Sequence, residues 1–175
     1  SPAKDKGNGT LKLGREMWTY NPKVNKTVKI PPSMMSQSWM GSDFSNSDLS
    51  KADSILNDYD HSLLRIEEQD GVRVFVIESI PKPGAPVVWG KQQLSVREDL
   101  VLIEEIFFDE LMEPVKVMTL TDIQEMGGRL MARVLTMRKA DVQDEYTRVE
   151  YESIEFDVDL PDSMFTLANL SKPVR

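Results

Sequence analysis

The stretch LLRIEEQDGVRVFVIES, Leu63 to Ser79, sets an Asp-Gly pair between two runs of strand character. Asp and Gly tolerate the positive φ angles of a tight turn, and alternating flanks pair across it. The stretch therefore reads as a β-hairpin, with strands from Leu63 to Glu68 and from Val72 to Ser79 around Gln69-Asp70-Gly71. Strand side chains alternate, so Val72, Val74 and Val76 take one face of the second strand while Phe75 and Ile77 take the other. A strand that is apolar on both faces belongs to a sheet that needs two covers.

Downstream, the same character recurs in Val87 to Val96, Leu100 to Asp109, Val115 to Glu125 and Arg129 to Lys139. These runs are separated only by Arg97-Glu98-Asp99, Glu110 to Pro114 and Gly127-Gly128. Connections this short make consecutive strands antiparallel, because a parallel return needs a crossover of a dozen or more residues. The two-faced pattern persists, with Leu130 and Val134 opposing Met131, Leu135 and Met137. A last strand is expected from Tyr146 to Val158. Its apolar phase changes between Val149 and Tyr151 on one parity and Ile154, Phe156 and Val158 on the other, which predicts a bulge near Glu152-Ser153. Leu160 to Phe165 then reads as a turn or single helical turn.

Upstream, Pro81, Pro83, Gly84 and Pro86 mark a loop. Glu16 to Tyr20 and Val24 to Ile30 form an expected strand pair around Asn21-Pro22. Between Pro31-Pro32 and the hairpin lies a loop unusually rich in large apolar side chains: Met34, Met35, Trp39, Met40 and Phe44. Ser45 or Ser47 is placed to cap a short helix carrying Asp48, Leu49, Ala52, Ile55 and Leu56, and Asp43 and Asn46 read as turn and capping residues that fix the loop. Residues 1–10 read as a flexible end, and 11–175 as a single domain.

The fold class is mainly β, with few short helices, too few to cover both faces of the sheet. Three arrangements answer that shortage. The sheet closes on itself as a barrel or sandwich, a covering element lies outside the 175 residues, or part of one face stays open for an apolar ligand. Ten methionines suit the third, since Met is flexible and adapts to varied hydrophobic partners.

Chemistry-bearing patterns are scarce. There is no cysteine, which removes disulfides, thiolate metal sites and cysteine nucleophiles. A net charge of −8 argues against a nucleic-acid partner, which calls for a basic face. No apolar run is long enough for a helical membrane span, so stable membrane insertion is not expected. His61 is the only histidine, in Asp58-Tyr59-Asp60-His61-Ser62, and reads as a solvated turn residue rather than a catalytic base. Glu104 and Glu105 are adjacent on a strand and point to opposite faces, so they cannot share an acid and base site. Asp141, Asp144 and Glu145 lack the spacing of a calcium loop, and Gly127-Gly128 is a lone turn pair rather than a phosphate cradle. No catalytic residue, metal ligand or cofactor is expected.

Three stretches together resemble a known family. Arg15-Glu16-Met17-Trp18-Thr19-Tyr20-Asn21-Pro22, followed by Val28-Lys29-Ile30, is similar to the tryptophan-x-tyrosine-x-proline strand of the LolA-like superfamily of periplasmic lipoprotein carriers. Met40-Gly41-Ser42-Asp43-Phe44 with Asn46 and Asp48-Leu49 resembles the signature of its outer-membrane lipoprotein-sorting branch. Leu160-Pro161-Asp162-Ser163-Met164-Phe165-Thr166 is similar to the closing segment of the family. The resemblance spans about Leu11 to Leu170. It implies a strongly curved antiparallel sheet, an incomplete barrel, whose concave face is lidded by helices and holds acyl chains. It also implies an N-terminal helix and opening strands that this domain is expected to lack.

The resemblance thus implies a non-enzymatic periplasmic carrier for lipoprotein acyl chains or another lipid, with an inner-membrane transporter complex as a further partner. Trp18, Met34, Met35, Trp39, Met40, Phe44, Phe75 and Trp89 are the candidate ligand-binding residues. The alternative is a protein-interaction or sensor module of the cell envelope, or an accessory to an envelope transporter, docking a protein on the same sheet.

Overall fold

A computed structural model describes residues 6–14, 16–50 and 54–172. The described residues divide into two compact units, one drawn from 1–41, 45–50 and 157–175, the other from 42–44 and 51–156.

The first unit carries a three-stranded antiparallel sheet of β1 (Gly9–Leu13), β2 (Glu16–Asn21) and β3 (Lys26–Lys29), in that order. Gly9 and Thr10, expected in the flexible end, are the first two residues of β1 and pair with Tyr20 and Thr19. Gly9 lies against the end of the Leu170 side chain: a Cβ would meet Leu170 Cδ1 at 2.8 Å, a contact that a turn of that flexible side chain relieves. Leu170 ends the short helix α3 (Leu167–Leu170), which follows a 3-10 turn at Asp162–Phe165, so the expected single turn of the tail is present and continues. The Thr166 side chain caps α3 by accepting from the Asn169 amide.

The expected helix is present in pieces. α1 (Asn46–Ser50) and α2 (Ser54–Asn57) belong to different units, and Ala52 lies outside the described residues. Ser45 is the cap of α1: its Oγ accepts from the Asp48 amide at 3.1 Å while Asp48 Oδ2 accepts from the Ser45 amide at 2.7 Å. This is a reciprocal capping box with Asp in the place usually held by Glu.

The second unit is built on a seven-stranded antiparallel sheet in the order β10-β9-β8-β7-β6-β5-β4. Its strands are β4 (Tyr59–Gln69), β5 (Val72–Pro81), β6 (Lys91–Arg97), β7 (Leu102–Phe108), β8 (Pro114–Met126), β9 (Arg129–Lys139) and β10 (Thr147–Glu150). Sequence neighbours pair throughout, as short connections demand, and β4 does not pair with β10, so the sheet is open. Asp70 and Gly71 adopt φ of 52° and 77°, and Gln69 pairs with Val72, which is the tight hairpin expected of Asp-Gly. Register irregularities at Leu63/Arg65, Ser95/Val96 and Phe107/Phe108 bend the sheet.

Two strand expectations need correction. Val87 to Gly90 is not in strand; β6 begins at Lys91, because the proline-rich loop continues to Gly90, whose packing on the backbone of Asp109 leaves no room for a side chain. The expected bulge near Glu152-Ser153 is absent. β10 stops at Glu150, and the last bond to β9 is from the Tyr151 amide to the Arg133 carbonyl. The phase change marks the chain leaving the ladder. It runs instead to the tip of the β8–β9 hairpin, where Gly127 lies against the Ile154 carbonyl and the Phe156 ring, with the Arg129 guanidinium 4.2 Å from that ring.

Candidate functional site: an apolar sheet face

Residues paired across antiparallel strands share a face. Following the pairs from Phe75 places Val96 beside it; from Ile77, the row continues through Leu94, Glu105, Met118 and Met137 to Thr147. Leu120 and Leu135 pair on the same face, with Val149 next to Leu135. Most of these large side chains are only half-buried, whereas Met137 is 1% exposed. The other face carries smaller side chains, with Val74, Val76, Ser95, Val117, Ala132 and Val134 buried. Both faces are therefore apolar in part, but the one bearing Phe75 carries the long, adaptable residues.

An aromatic cluster closes one end of this face. Trp89 packs on Phe107 with ring centroids 5.3 Å apart and planes tilted by 52°. Its carbonyl accepts from the Tyr59 hydroxyl at 3.4 Å, and the Lys116 ammonium stands 5.4 Å from its ring. Tyr59 is 2% exposed, and burial, reinforced by the Glu105 and Asp58 carboxylates, pushes its pKa up to about 12. Gln92, in the row between Ser79 and Phe107, is 5% exposed, and its Oε1 has no hydrogen-bond partner among the described residues. His61 lies opposite Ser79, its Nδ1 2.8 Å from the Ser79 hydroxyl. A histidine, a buried serine and a carboxylate are thus present on the face, yet Glu105 pairs with Leu94 and His61 with Ser79, on strands that are not neighbours.

Of the eight candidate ligand-binding residues, Phe75 and Trp89 both lie on this face. Phe44 belongs to the same unit, in a short segment tied to β10 by Asp43, whose amide donates to Thr147 Oγ1 at 2.9 Å and whose carboxylate accepts from that hydroxyl at 2.7 Å. The other five lie in the first unit. Trp18 sits in β2 opposite Leu11 and Lys29, its indole N–H buried without a hydrogen-bond partner among the described residues. Met34 is 42% exposed in a 3-10 turn at Pro32–Met34, which Met35 ends. Trp39 donates from Nε1 to Thr10 Oγ1 at 3.0 Å, and Met40 adopts φ of 51°. Asn46, expected to cap, instead donates from its amide to the Met34 carbonyl at 3.0 Å and so holds the apolar loop closed on itself.

Leu94, Val96, Met118 and Leu120 were not singled out by sequence. Each strand's parity was legible, but parity alone does not align one strand with the next across the bulges, and the face emerges only from register. Among the described residues no cluster of acidic or histidine side chains is arranged to hold a metal ion, and no helix is long and apolar enough to cross a membrane.

An open antiparallel sheet of this kind, with one face of large apolar side chains, is a LolA-like fold, and solved structures match it. A DUF1329 family protein from Desulfovibrio piger superposes with a TM-score of 0.84 at 25% identity, covering 97% of this chain and 73% of that one. A domain described as an outer membrane lipoprotein-sorting protein, from Vibrio parahaemolyticus, gives 0.82 at 21% identity over 98% of this chain and 74% of that one. A LolA superfamily protein from Nitrosomonas europaea gives 0.75 at 24% identity over 96% and 74%. A family model whose description reads "Uncharacterized protein" matches residues 1–172, and the chain belongs to that family. No curated protein matches the sequence.

Proposed function

We propose that this chain is a non-enzymatic carrier or binding protein for the acyl chains of lipoproteins, or for another hydrophobic lipid, working in the periplasm. The observation that carries the reading is the face of large, half-buried apolar side chains crossing β5 to β9, interrupted on β7 by Glu105. The description of one structural neighbour as a lipoprotein-sorting protein supports it. Burying hydrocarbon is non-directional and contributes about 0.8 kcal/mol per CH₂, so such a site needs no fixed polar constellation. Phe75 and Trp89 are the proposed contacts on the sheet, and the same role is proposed for Phe44, Trp18, Met34, Met35, Trp39 and Met40. An inner-membrane transporter complex is the proposed source of the cargo.

Denaturing mass spectrometry and lipid extraction of the purified protein test this, together with thermal melts in the presence of an acylated peptide. Co-purified lipid, or an upward melting shift given by the acylated peptide and not by its unacylated twin, is the expected result. Recovery of no lipid together with no shift would overturn it. A second reading, a protein-docking module, draws on the edge strand β4, whose Leu63, Leu64 and Ile66 are 56%, 45% and 54% exposed. It predicts neither lipid nor shift.

A further inference from the structure

A separate cavity of about 440 Å³ opens on the opposite face of the seven-stranded sheet, lined by the end of β4, by β5 to β7 and by the middle of β8. Register places Ser95, Glu104 and Thr119 side by side on β6, β7 and β8 in a single row on that face. All three line the cavity. Ser95 is 6% exposed, and its hydroxyl has no hydrogen-bond partner among the described residues. Glu104 forms no ion pair among the described residues.

The other charges at the cavity are largely matched within the protein. Arg97 grips Asp99 with Nε at 3.0 and 3.2 Å and Nη2 at 2.6 Å, and Asp122 takes the Nε of Arg133 at 2.6 Å. What the cavity leaves unanswered is therefore two carboxylates, Glu104 flanked by two hydroxyls and Asp70 at the hairpin tip, with Val74 and Ile123 as an aliphatic wall.

The geometry points to a site for a primary alkylammonium ligand, a small aliphatic amine or diamine. An –NH₃⁺ group has three donors and no acceptor, and the row offers acceptor oxygens on three adjacent strands, with a carboxylate at the centre to match the charge. The aliphatic wall suits a methylene stem. An anion would meet Glu104 and Asp70, with Arg97, the guanidinium among the described lining residues, already engaged by Asp99. A quaternary ammonium has no N–H to donate, and among the described residues no aromatic side chain lines the cavity to hold it by its face. A neutral polyol would leave the charge of Glu104 unanswered. This site lies on the face opposite Phe75 and stands apart from the carrier reading.

Calorimetric titration of the purified chain with 1,5-diaminopentane tests it, at one low ionic strength, with choline and 1,5-pentanediol as comparisons. Saturable one-to-one binding of the diamine is expected, weakened by about tenfold or more in Glu104→Gln and by less in Ser95→Ala, with no heat from choline or the diol. Glu68→Gln removes an exposed charge of the edge strand outside the cavity and is expected to leave binding unchanged. Equal weakening by Glu68→Gln and Glu104→Gln would reduce the effect to attraction by the −8 net charge and overturn the site. So would choline matching the diamine, or no heat from the diamine. Vesicles headed by ethanolamine identify the source of the ammonium: capture of vesicles by the wild type and not by Glu104→Gln assigns it to a lipid headgroup, and response to free amine alone assigns it to a soluble ligand.

Discussion

At the scale of the residue, the interior is read most directly at Met137, 1% exposed and paired with Met118 on one side and Thr147 on the other. Met137→Ala is expected to cost about 2–5 kcal/mol in urea denaturation, the range for removing a long buried side chain whose cavity cannot collapse. A loss below about 1 kcal/mol would show that the face closes over the gap. Tyr59 gives a prediction with a sign. Below pH 10 its phenol is protonated in the folded and unfolded chains alike. Between pH 10 and about 12 the unfolded chain releases a proton that the fold still holds, because ionisation in the buried site is unfavourable. Stability therefore falls across that window, by up to about 1.4 kcal/mol per pH unit from this group. Unfolding free energies of Tyr59→Phe are expected to decline less steeply than those of the wild type over the same range, and equal slopes would count against a buried phenol. Residues whose role depends on a distant partner were the least legible in sequence. Asp43 reads as a loop-fixing turn residue, and it does fix its loop, but through Thr147, 104 positions away. Asn46 reads as a cap and serves as a tie to Met34, since Ser45 with Asp48 already satisfies the helix end.

At the scale of the element, hairpins with glycine at the turn were legible to within a residue, because positive φ is a local demand that few side chains meet. The turns at Asp70-Gly71 and Gly127-Gly128 both show it, the latter with φ of 58° and 80°. The two glycines of the second turn are not equivalent. A Cβ at Gly127 would lie 2.8 Å from the Ile154 carbonyl and 2.9 Å from the Phe156 ring, whereas nothing lies within 4 Å of one at Gly128. Gly128→Ala is expected to cost about 1 kcal/mol for its backbone alone, and Gly127→Ala measurably more, by the melting of each variant. Equal costs would mean that the 154–156 segment gives way freely. That segment is also where sequence reading failed. A phase change in an apolar run has two causes, a bulge within a strand or the end of the strand. Only the position of a partner decides, and after Tyr151 the partner is a hairpin tip instead of a strand. Strand β6 failed for the converse reason: Val87, Val88 and Trp89 are β-prone, yet Trp89 is spent on the ring of Phe107 and its carbonyl on Tyr59, so the ladder waits until Lys91.

At the scale of the molecule, the shortage of helix read from the strand pattern holds among the described residues, and the second unit leaves its sheet open. An open sheet has two edges, and they are protected unequally. β10 is four residues long, Thr-Arg-Val-Glu, with Arg148 bonded to Glu150. Short, charged strands of this kind discourage pairing with another chain. β4 is eleven residues long and exposes Leu63, Leu64 and Ile66; its protection is the bulge between Leu63 and Arg65 and the charges of Arg65, Glu67 and Glu68. The net charge of −8 keeps copies apart near neutral pH, and that repulsion vanishes towards the sequence pI of 4.8. Self-association is therefore expected to rise as pH falls to about 5 and to depend on β4. Light scattering across pH 7.5 to 4.8 would show it, with Ile66→Lys suppressing the rise and Val149→Lys, on the short opposite edge, leaving it nearly unchanged. Ile66→Lys is the informative substitution because its side chain is already half in solvent, so the charge is added with little cost to the fold. Scattering that responds equally to both substitutions would locate the association in the loss of net charge and release β4 from any part in it.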